Sequence, residues 1–296
     1  MAKYISNYIG NTPLIKISEK IYAKYELVNP SGSIKDRIAK YIIDNAENNN
    51  IIKKGDTIIE ASSGNSGIAF SMIAAERGYN MKVVMPIDMS EERKKILKLF
   101  GTEIIYVKEN DFSGAIKLAD ELAVKNTWFN PKQFSNLKNI ECHKNNICQE
   151  IIKQTKNLNL DISCFINGIG TGGTIMGIYQ GFKDYFGIND IPKFIAMEPS
   201  ESATLSGNKP GKHGIQGIGD GDNFLVDINI LDDIIQISTK EAYDKTRDLI
   251  KNKGLFIGVT SAANILAAEK WIEKNNPSGI VVTIISDRAE RYLSLL

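Results

Sequence analysis

The stretch DTIIEASSGNSGIAFSMIAAERGYNMKVVMP, residues 56–86, decides the fold class. It opens with a short run rich in β-branched residues, 56–62. Apolar residues at helical spacing follow and stop at Gly78, and a second β-branched run closes the stretch at 81–86. A strand, a helix and a strand of these lengths form a βαβ unit with parallel strands. The stretch therefore predicts a parallel sheet that is covered by helices.

The same alternation continues along the chain. Further strands are predicted at 102–107, 161–167, 193–199, 234–238 and 279–286. Helices are predicted at 90–101, 114–125, near 137–155 and at 173–186, and one more is opened by the capping box Ser238 to Glu241. Parallel sheets buried on both faces explain this pattern. Because 296 residues are many for one core, two packed domains or one large α/β unit are favoured.

Composition and charge exclude several classes of protein. Hydrophobic residues at 43% and charged residues at 24% are typical of a globular enzyme and exclude a disordered chain. Thirty-six basic residues balance 35 acidic ones with both signs interspersed, so neither nucleic acid nor an anionic membrane surface is an expected partner. No window approaches the roughly 18 apolar residues of a membrane helix, and no signal peptide opens the chain. We expect a cytoplasmic protein.

The cysteines predict neither a disulfide framework nor a metal site. Cys142, Cys148 and Cys164 are odd in number, and free thiols are expected in a reducing compartment. Cys142, His143 and Cys148 lack a fourth ligand at zinc-finger spacing, and the chain has only 2 histidines. No metal is predicted.

Two glycine-bearing turns lie between a predicted strand and a predicted helix: ASSGNSG (61–67) and GIGTGGT (168–174). Helix N-termini at the carboxyl ends of parallel strands present free N–H groups and a positive dipole end. Both turns therefore point to an anion. Residues 168–173 also fit the dinucleotide fingerprint G-x-G-x-x-G, but that fingerprint normally opens a domain, and its acidic partner would be Asp190 on a loop. A glycine-rich turn without any ligand is the remaining alternative.

A lysine in NPSGSIKDR, Lys35, precedes an amphipathic run and is either a solvated charge at a helix start or a chemical group. The surrounding segments favour the second reading. NPSGSIKDR, EASSGNSG, MPIDMSEERKKILKLFG, NPKQFSN, GIGTGGT and ISDRAERYLS occur in an order and spacing that resemble the cysteine synthase family. These are pyridoxal-phosphate enzymes of the tryptophan-synthase-β type, fold type II, and the resemblance runs from IGNTPLIKI to the last residues.

The resemblance implies a fold and a domain arrangement. The fold class is α/β, with two doubly wound parallel-sheet domains. The N-terminal domain would span 34–144, with a mobile subdomain at about 81–125 that closes when substrate binds. Residues 1–33 and 145–296 would form the C-terminal domain that binds pyridoxal 5'-phosphate. The family is commonly dimeric, which implies a homodimer.

The resemblance also implies roles for individual residues. Lys35 would form the internal aldimine with the cofactor and, once released, move the α-proton of the substrate. The phosphate cradle would consist of Gly170, Thr171, Gly172, Gly173 and Thr174. Asn65 would bond the cofactor's 3-hydroxyl, and Thr260 would face the pyridine nitrogen. The substrate carboxylate would be held by Ser62, Ser63, Ser66 and Gln133.

Departures from the family pattern bear on the substrate. The chain has NNICQEI (145–151) where the family has TTGPEI, GIGDGDNF (217–224) where it has GIGAGFIP, and SDRAERYL for SSGERYL. An apolar position is replaced by Asp232. Carboxylates near the site would repel hydrosulfide, whereas water needs a base to take its proton. Asp232 is therefore the predicted catalytic base, with Asp220, Asp222 and Asp233 as further acidic candidates; the alternative is that all of these are solvated charges.

This pattern resembles the cysteine hydroxyl-lyase branch, which converts L-cysteine through an aminoacrylate into L-serine and hydrogen sulfide. The alternative is an O-acetylserine sulfhydrylase, a cysteine synthase that makes L-cysteine from O-acetylserine and sulfide. A third possibility is a binding protein, since cysteine synthases can bind a peptide tail of serine acetyltransferase. The altered NNICQEI and GDGDNF segments make that docking doubtful.

Overall fold

A computed structural model of the chain describes residues 4–62, 64–219 and 224–296. The strands are β1 (Leu14–Lys16), β2 (Ile21–Tyr25), β3 (Thr57–Ala61), β4 (Asn80–Pro86), β5 (Glu103–Val107), β6 (Ile162–Gly168), β7 (Lys193–Pro199), β8 (Asp233–Ile237) and β9 (Ile280–Ile285). The helices are α1 (Lys35–Asn48), α2 (Asn65–Arg77), α3 (Glu91–Leu99), α4 (Phe112–Asn126), α5 (Lys138–His143), α6 (Gln149–Asn157), α7 (Gly173–Phe186), α8 (Thr239–Lys253) and α9 (Val259–Asn275).

Within the described residues the strands form two sheets. One has six strands in the order β1-β2-β9-β6-β7-β8, and the other has three in the order β3-β4-β5. Neighbouring strands are parallel except for the pair β1 and β2. The predicted α/β class with two parallel sheets is confirmed. Because the strands other than β1 run the same way within each sheet, their carboxyl ends share one edge, where turns into helices cluster.

Each sheet is covered on both faces by helices. In the six-stranded sheet, Ile166 packs with helices α8 and α9, whereas its neighbour Phe165 packs on the other face with α5, α6 and α7. In the three-stranded sheet, Ile58 packs with α1 and α2, and the adjacent Ile59 packs with α4. Successive side chains of a strand point to opposite faces, so a strand buried on both faces must be apolar throughout. We call the two units the six-stranded body and the three-stranded body.

Local sequence signals fix several element ends. Helix α2 ends at Gly78, which has a positive φ of 79° that favours glycine. Helix α8 begins with the predicted capping box, in which the Ser238 hydroxyl accepts from the Glu241 N–H and the Glu241 carboxylate accepts from the Ser238 N–H. Helix α7 and strand β7 occupy the predicted residues.

The helix predicted near 137–155 contains a π-helical segment. Residues Lys144–Cys148 form this segment between α5 and α6. The wider turn brings Cys148 against Gly181 of α7, where a Cβ on the glycine would lie 2.4 Å from the Cys148 Sγ. Residues 138–157 thus pack as one interrupted helix against the six-stranded body. The domain boundary at 144/145, which falls inside this helix, stays a prediction.

Candidate active site

A cleft lies between the carboxyl edges of the two sheets and is lined by turns from both bodies. Predicted site residues that line it are Lys35, Ser62, Asn65, Ser66, Gln133, Gly170, Thr171, Gly172, Thr174 and Thr260. Further lining residues that the sequence did not single out include Arg93, Gln216, Asp287 and Tyr292. Ser63 lies outside the described residues. The structure thus brings together predicted site residues that are up to 225 positions apart, Lys35 to Thr260, in one cleft.

Lys35 is the first residue of α1, and buried polar contacts hold the residues around it. The next residue, Asp36, accepts a hydrogen bond from the Ser31 N–H at 2.7 Å, and burial raises the pKa of its carboxyl group to about 6. Arg37 forms ion pairs with Glu26 at 2.6 Å and Glu150 at 2.7 Å. These contacts fix the backbone from which the Lys35 side chain enters the cleft.

The turn at the N-terminus of α7 is shaped as an anion cradle. Gly172 has a φ of 84°, and a Cβ there would lie 2.3 Å from Val226 Cγ2. A Cβ on Gly170 would lie 2.6 Å from the Gly217 carbonyl oxygen, and one on Gly173 would lie 2.1 Å from Asn139 Oδ1. Close packing therefore requires glycine at all three positions, and at Gly172 the positive φ requires it as well. Thr171 and Thr174 line the cleft at this helix start, where N–H groups lack partners within the helix, and this arrangement fits a phosphate group.

Buried polar side chains support the cradle from behind. The hydroxyl of Thr174 lies 3.2 Å from Nε2 of His143, and the Thr171 hydroxyl accepts from Asn139 Nδ2 at 3.0 Å. Burial and then the nearby charge of Lys35 hold the pKa of His143 well below its usual range. A neutral imidazole at this position adds no charge to the cradle, so Lys35 and the helix dipole supply the attraction for a phosphate.

The turn after β3 is held for a second anion. The Ser62 hydroxyl accepts hydrogen bonds from the N–H groups of Gly64 (3.0 Å) and Gly67 (2.9 Å). The Ser66 hydroxyl donates to Gln133 Oε1, and Gln133 Nε2 donates to the Ala61 carbonyl at 2.9 Å. The start of α2 and these side chains form a polar wall of the cleft, which suits an anion such as a carboxylate.

A buried carboxyl group supports Gln133. Glu60, at 1% exposure, accepts from the Gln133 N–H at 3.2 Å and from the Ala61 N–H at 3.0 Å. Burial raises the pKa of Glu60 to about 8, and the two amide hydrogen bonds oppose that rise. The segment NPKQFSN is thereby tied to strand β3 through Glu60.

Asn65 is oriented from both ends of its amide. Its Nδ2 donates to Asp287 Oδ2 at 2.6 Å, and its Oδ1 accepts from Arg291 Nη1 at 2.6 Å. Since an amide nitrogen carries two hydrogens, one remains for a group in the cleft. Asp287 and Arg291 belong to the quoted segment ISDRAERYLS, and that motif was the available signal for this part of the site.

Thr260 lies in the first turn of α9 and donates to the Gln216 carbonyl at 3.2 Å. It is 7% exposed and carries no charge. Thr260 therefore adds a neutral group to the cleft, and its role opposite the pyridine nitrogen stays a prediction. Together, the cradle, the lysine, Asn65 and Thr260 fit pyridoxal phosphate: an anion site, an amine and two neutral polar groups around one cleft.

The prediction that Asp232 lies at this site is wrong. Asp232 directly precedes β8, and its carboxylate pairs with Lys193 at 2.6 Å and accepts from the Phe194 N–H at 2.8 Å. Lys193 is the first residue of β7, so Asp232 lies at the amino edge of the sheet, whereas the cleft lies at the carboxyl edge. Asp233 begins β8 at the same edge and pairs with Lys274. Asp220 and Asp222 lie outside the described residues.

The three cysteines are free and buried. Among the described residues, no group of three or more His, Cys, Asp or Glu side chains could hold a metal ion. No helix within 4–62, 64–219 and 224–296 has the length and apolar character required to cross a membrane.

Known proteins share both the sequence and the fold. A family described as pyridoxal-phosphate-dependent enzyme matches residues 5–287. A cysteine synthase from Staphylococcus aureus is 37% identical over 301 residues, covering 98% of this chain and 95% of the relative.

Solved structures extend this similarity. A hydrogen sulfide-producing enzyme from Fusobacterium nucleatum matches with a TM-score of 0.90 and 39% identity, covering 98% of this chain and 90% of that one. A mutant of that enzyme has been crystallised with an α-aminoacrylate intermediate. A cysteine synthase from Entamoeba histolytica matches with a TM-score of 0.89 and 34% identity, covering 100% of this chain and 90% of that one.

Proposed function

The chain belongs to the family of pyridoxal-phosphate-dependent enzymes. Within this family, we propose that it replaces the thiol of L-cysteine by water. The products are L-serine and hydrogen sulfide. The bound cofactor supplies an electron sink for the negative charge that develops at the substrate's α-carbon. The chain is a lyase-type enzyme of the cysteine synthase kind, and the choice of water as nucleophile is the proposed part.

Lys35 is proposed to move the α-proton. Its position at the cleft end of α1, with both following residues locked by buried polar contacts, holds the amine near the reacting carbon. Ser62, Ser66 and Gln133 are proposed to bind the α-carboxylate, because their hydroxyl and amide groups surround the N-terminus of α2. The cradle 170–174 is proposed to hold the phosphate.

The sequence that follows the described cleft wall supports the choice of water. Gly217 and Ile218 line the cleft, and the Gly219 N–H donates to the Ile169 carbonyl at 3.0 Å. The sequence continues directly with Asp220 and Asp222. A carboxylate beside the cleft repels hydrosulfide and can take a proton from water. Asp220, the first of the two, is the proposed general base, in place of Asp232.

The likeness to a hydrogen sulfide-producing enzyme supports the same direction of reaction. Cysteine synthase is the second candidate, because relatives of that name match nearly the whole chain at 37% identity. Both reactions use the same cofactor and the same cleft. They differ in the leaving group and in the nucleophile that adds at the β-carbon.

One incubation separates the two candidates. Purified holoenzyme with L-cysteine alone should release sulfide and form L-serine. Product formation only from O-acetylserine with sulfide would instead identify a cysteine synthase. Lack of turnover both with L-cysteine alone and with O-acetylserine plus sulfide, at full cofactor occupancy, would contradict both candidate reactions and favour a binding role.

A further inference from the structure

Arg93 crosses the cleft between the two bodies. It lies in the first turn of α3, in the three-stranded body, and its side chain is 1% exposed. Its guanidinium donates to Gln216 Oε1 at 2.7 Å and to the Tyr292 hydroxyl at 2.8 Å, both in the six-stranded body. The guanidinium carbon also lies 4.8 Å from the centre of the Tyr292 ring. A planar cation with several donors can make these contacts at once, which a lysine ammonium cannot.

The stem of Arg93 packs on the turn before α2. A Cβ on Gly64 would lie 2.3 Å from Arg93 Cδ, closer than any real side chain allows. Gly64 also has a φ of 152°, and it immediately precedes Asn65. The arginine therefore contacts the backbone that carries Asn65 as well as the opposite wall.

A hydrogen-bond chain continues from Arg93 to Asn65. The Tyr292 hydroxyl accepts from Arg93 and donates its single hydrogen to Asp287 Oδ2 at 2.6 Å. The same carboxylate oxygen accepts from Asn65 Nδ2 at 2.6 Å. Burial raises the pKa of Tyr292, so its hydroxyl stays protonated and the direction of the chain is fixed. In a site shielded from water, such linked charged hydrogen bonds reinforce one another.

We propose that Arg93 is a positioning residue that ties α3 across the cleft and, through Tyr292 and Asp287, sets the orientation of Asn65 toward the cofactor. Without this contact, α3 should open more readily and the orientation of the Asn65 side chain should be less well fixed. The role is independent of whether water or sulfide is the nucleophile, since it concerns the resting holoenzyme.

The same interface offers a matched control. The Glu92 carboxylate, one residue before Arg93, accepts from the Ser294 N–H at 3.0 Å and from the Ser294 hydroxyl at 3.0 Å. These bonds also join α3 to the C-terminal segment, but they are exposed and do not reach the cleft. Glu92→Gln therefore weakens docking of α3 without touching the chain to Asn65.

The experiment compares holoenzymes of Arg93→Lys, Tyr292→Phe, the double variant and Glu92→Gln. Hydrogen exchange of residues 91–99 measures opening of α3, and visible circular dichroism of the bound cofactor measures its orientation. Arg93→Lys and Tyr292→Phe should each raise exchange by about tenfold and change the dichroism, because each removes a hydrogen bond to a charged group. The effect of the double variant should be smaller than the sum of the two single effects, since both changes break one chain.

Two outcomes would overturn the proposal. One is additive effects of Arg93→Lys and Tyr292→Phe on exchange and dichroism, which indicates independent contacts. The other is an equal change in dichroism in Glu92→Gln, which indicates general docking of α3. If Arg93→Lys does not fold, Tyr292→Phe against Glu92→Gln decides the question, because Tyr292→Phe keeps the buried ring. Neither readout depends on the nucleophile, so the outcome is separate from the proposed reaction.

Discussion

The carboxylate of Asp232 forms an ion pair with Lys193, at 2.6 Å, on the edge of the six-stranded sheet opposite to the cleft. The pattern around Asp232 indicates that a carboxylate replaces an apolar residue, but the strand predicted at 234–238 begins after it, which puts Asp232 at the amino end of a strand. The pairing of Lys193 and Phe194 with Asp232 confirms this. A carboxylate at the amino edge cannot reach a water molecule near Lys35.

Asp232→Asn should therefore leave catalysis intact. Turnover of L-cysteine and the ratio of serine to thioether products should stay within about twofold of the parent. The unfolding free energy should fall by no more than about 1 kcal/mol, because the ion pair is largely exposed. Steady-state kinetics and urea denaturation measure both quantities. A hundredfold loss of serine formation would restore Asp232 as a general base.

Lys35→Ala should abolish turnover and the visible absorption that the holoenzyme owes to its lysine-bound cofactor. The amine at the start of α1 is proposed to bind the cofactor and to move the α-proton, so a methyl group serves neither purpose. Lys40→Ala is the control, since Lys40 lies on the same helix and pairs with Asp44 outside the cleft. Absorption and turnover that persist in Lys35→Ala would contradict the assignment.

The buried carboxyl group of Glu60 predicts a pH dependence of stability. Its pKa is about 8 in the folded chain against an ordinary 4.5, so the folded state holds this proton more tightly. The corresponding stability is fully present below pH 4.5 and is lost as pH rises through 8. Between these values the parent should lose up to about 1.4 kcal/mol per pH unit relative to Glu60→Gln. Denaturation at pH 6, 7 and 8 measures the difference; parallel curves would show that Glu60 does not titrate in this range.

Asp220→Asn should slow the addition of water more than the addition of a thiol. A general base typically contributes about a hundred- to ten-thousand-fold, and a thiol nucleophile needs less help from a base. Serine formation should therefore fall by at least about a hundredfold, while thioether formation from added thiol is retained. Asp227→Asn, an exposed residue that caps a short turn, is the control. Equal loss of both products would assign Asp220 a structural role instead.

Much of the fold could be predicted from local patterns. Strands and helices with clear periodicity, such as β7 and α7, were predicted to the residue. Helix α9 was not, because both of its faces are buried and its apolar residues, among them Ala262, Ala263 and Ile265, show no amphipathic period. The π-helical segment was not predicted either, and the close packing of Cys148 on Gly181 joins residues that no local pattern connects.

The sequence predicted those residues of the candidate site whose motif itself indicates a chemical role. The glycine cradle and Lys35 lie in the cleft as expected. Arg93 was missed because its partners, Gln216 and Tyr292, are 123 and 199 positions away. Asp232 was misplaced because the departure from the family pattern was followed, although Asp232 precedes the strand predicted at 234–238 and ligands bind at the carboxyl ends of parallel strands.

The identity of the nucleophile is the central claim, and the source of the serine oxygen tests it most directly. Holoenzyme is incubated with L-cysteine alone in water enriched in oxygen-18, and sulfide and serine are quantified together. Water as nucleophile predicts equal amounts of sulfide and serine, with the label in the serine hydroxyl at the enrichment of the solvent. Sulfide accompanied by pyruvate and ammonia without labelled serine, or product only when O-acetylserine and sulfide are supplied, would contradict it.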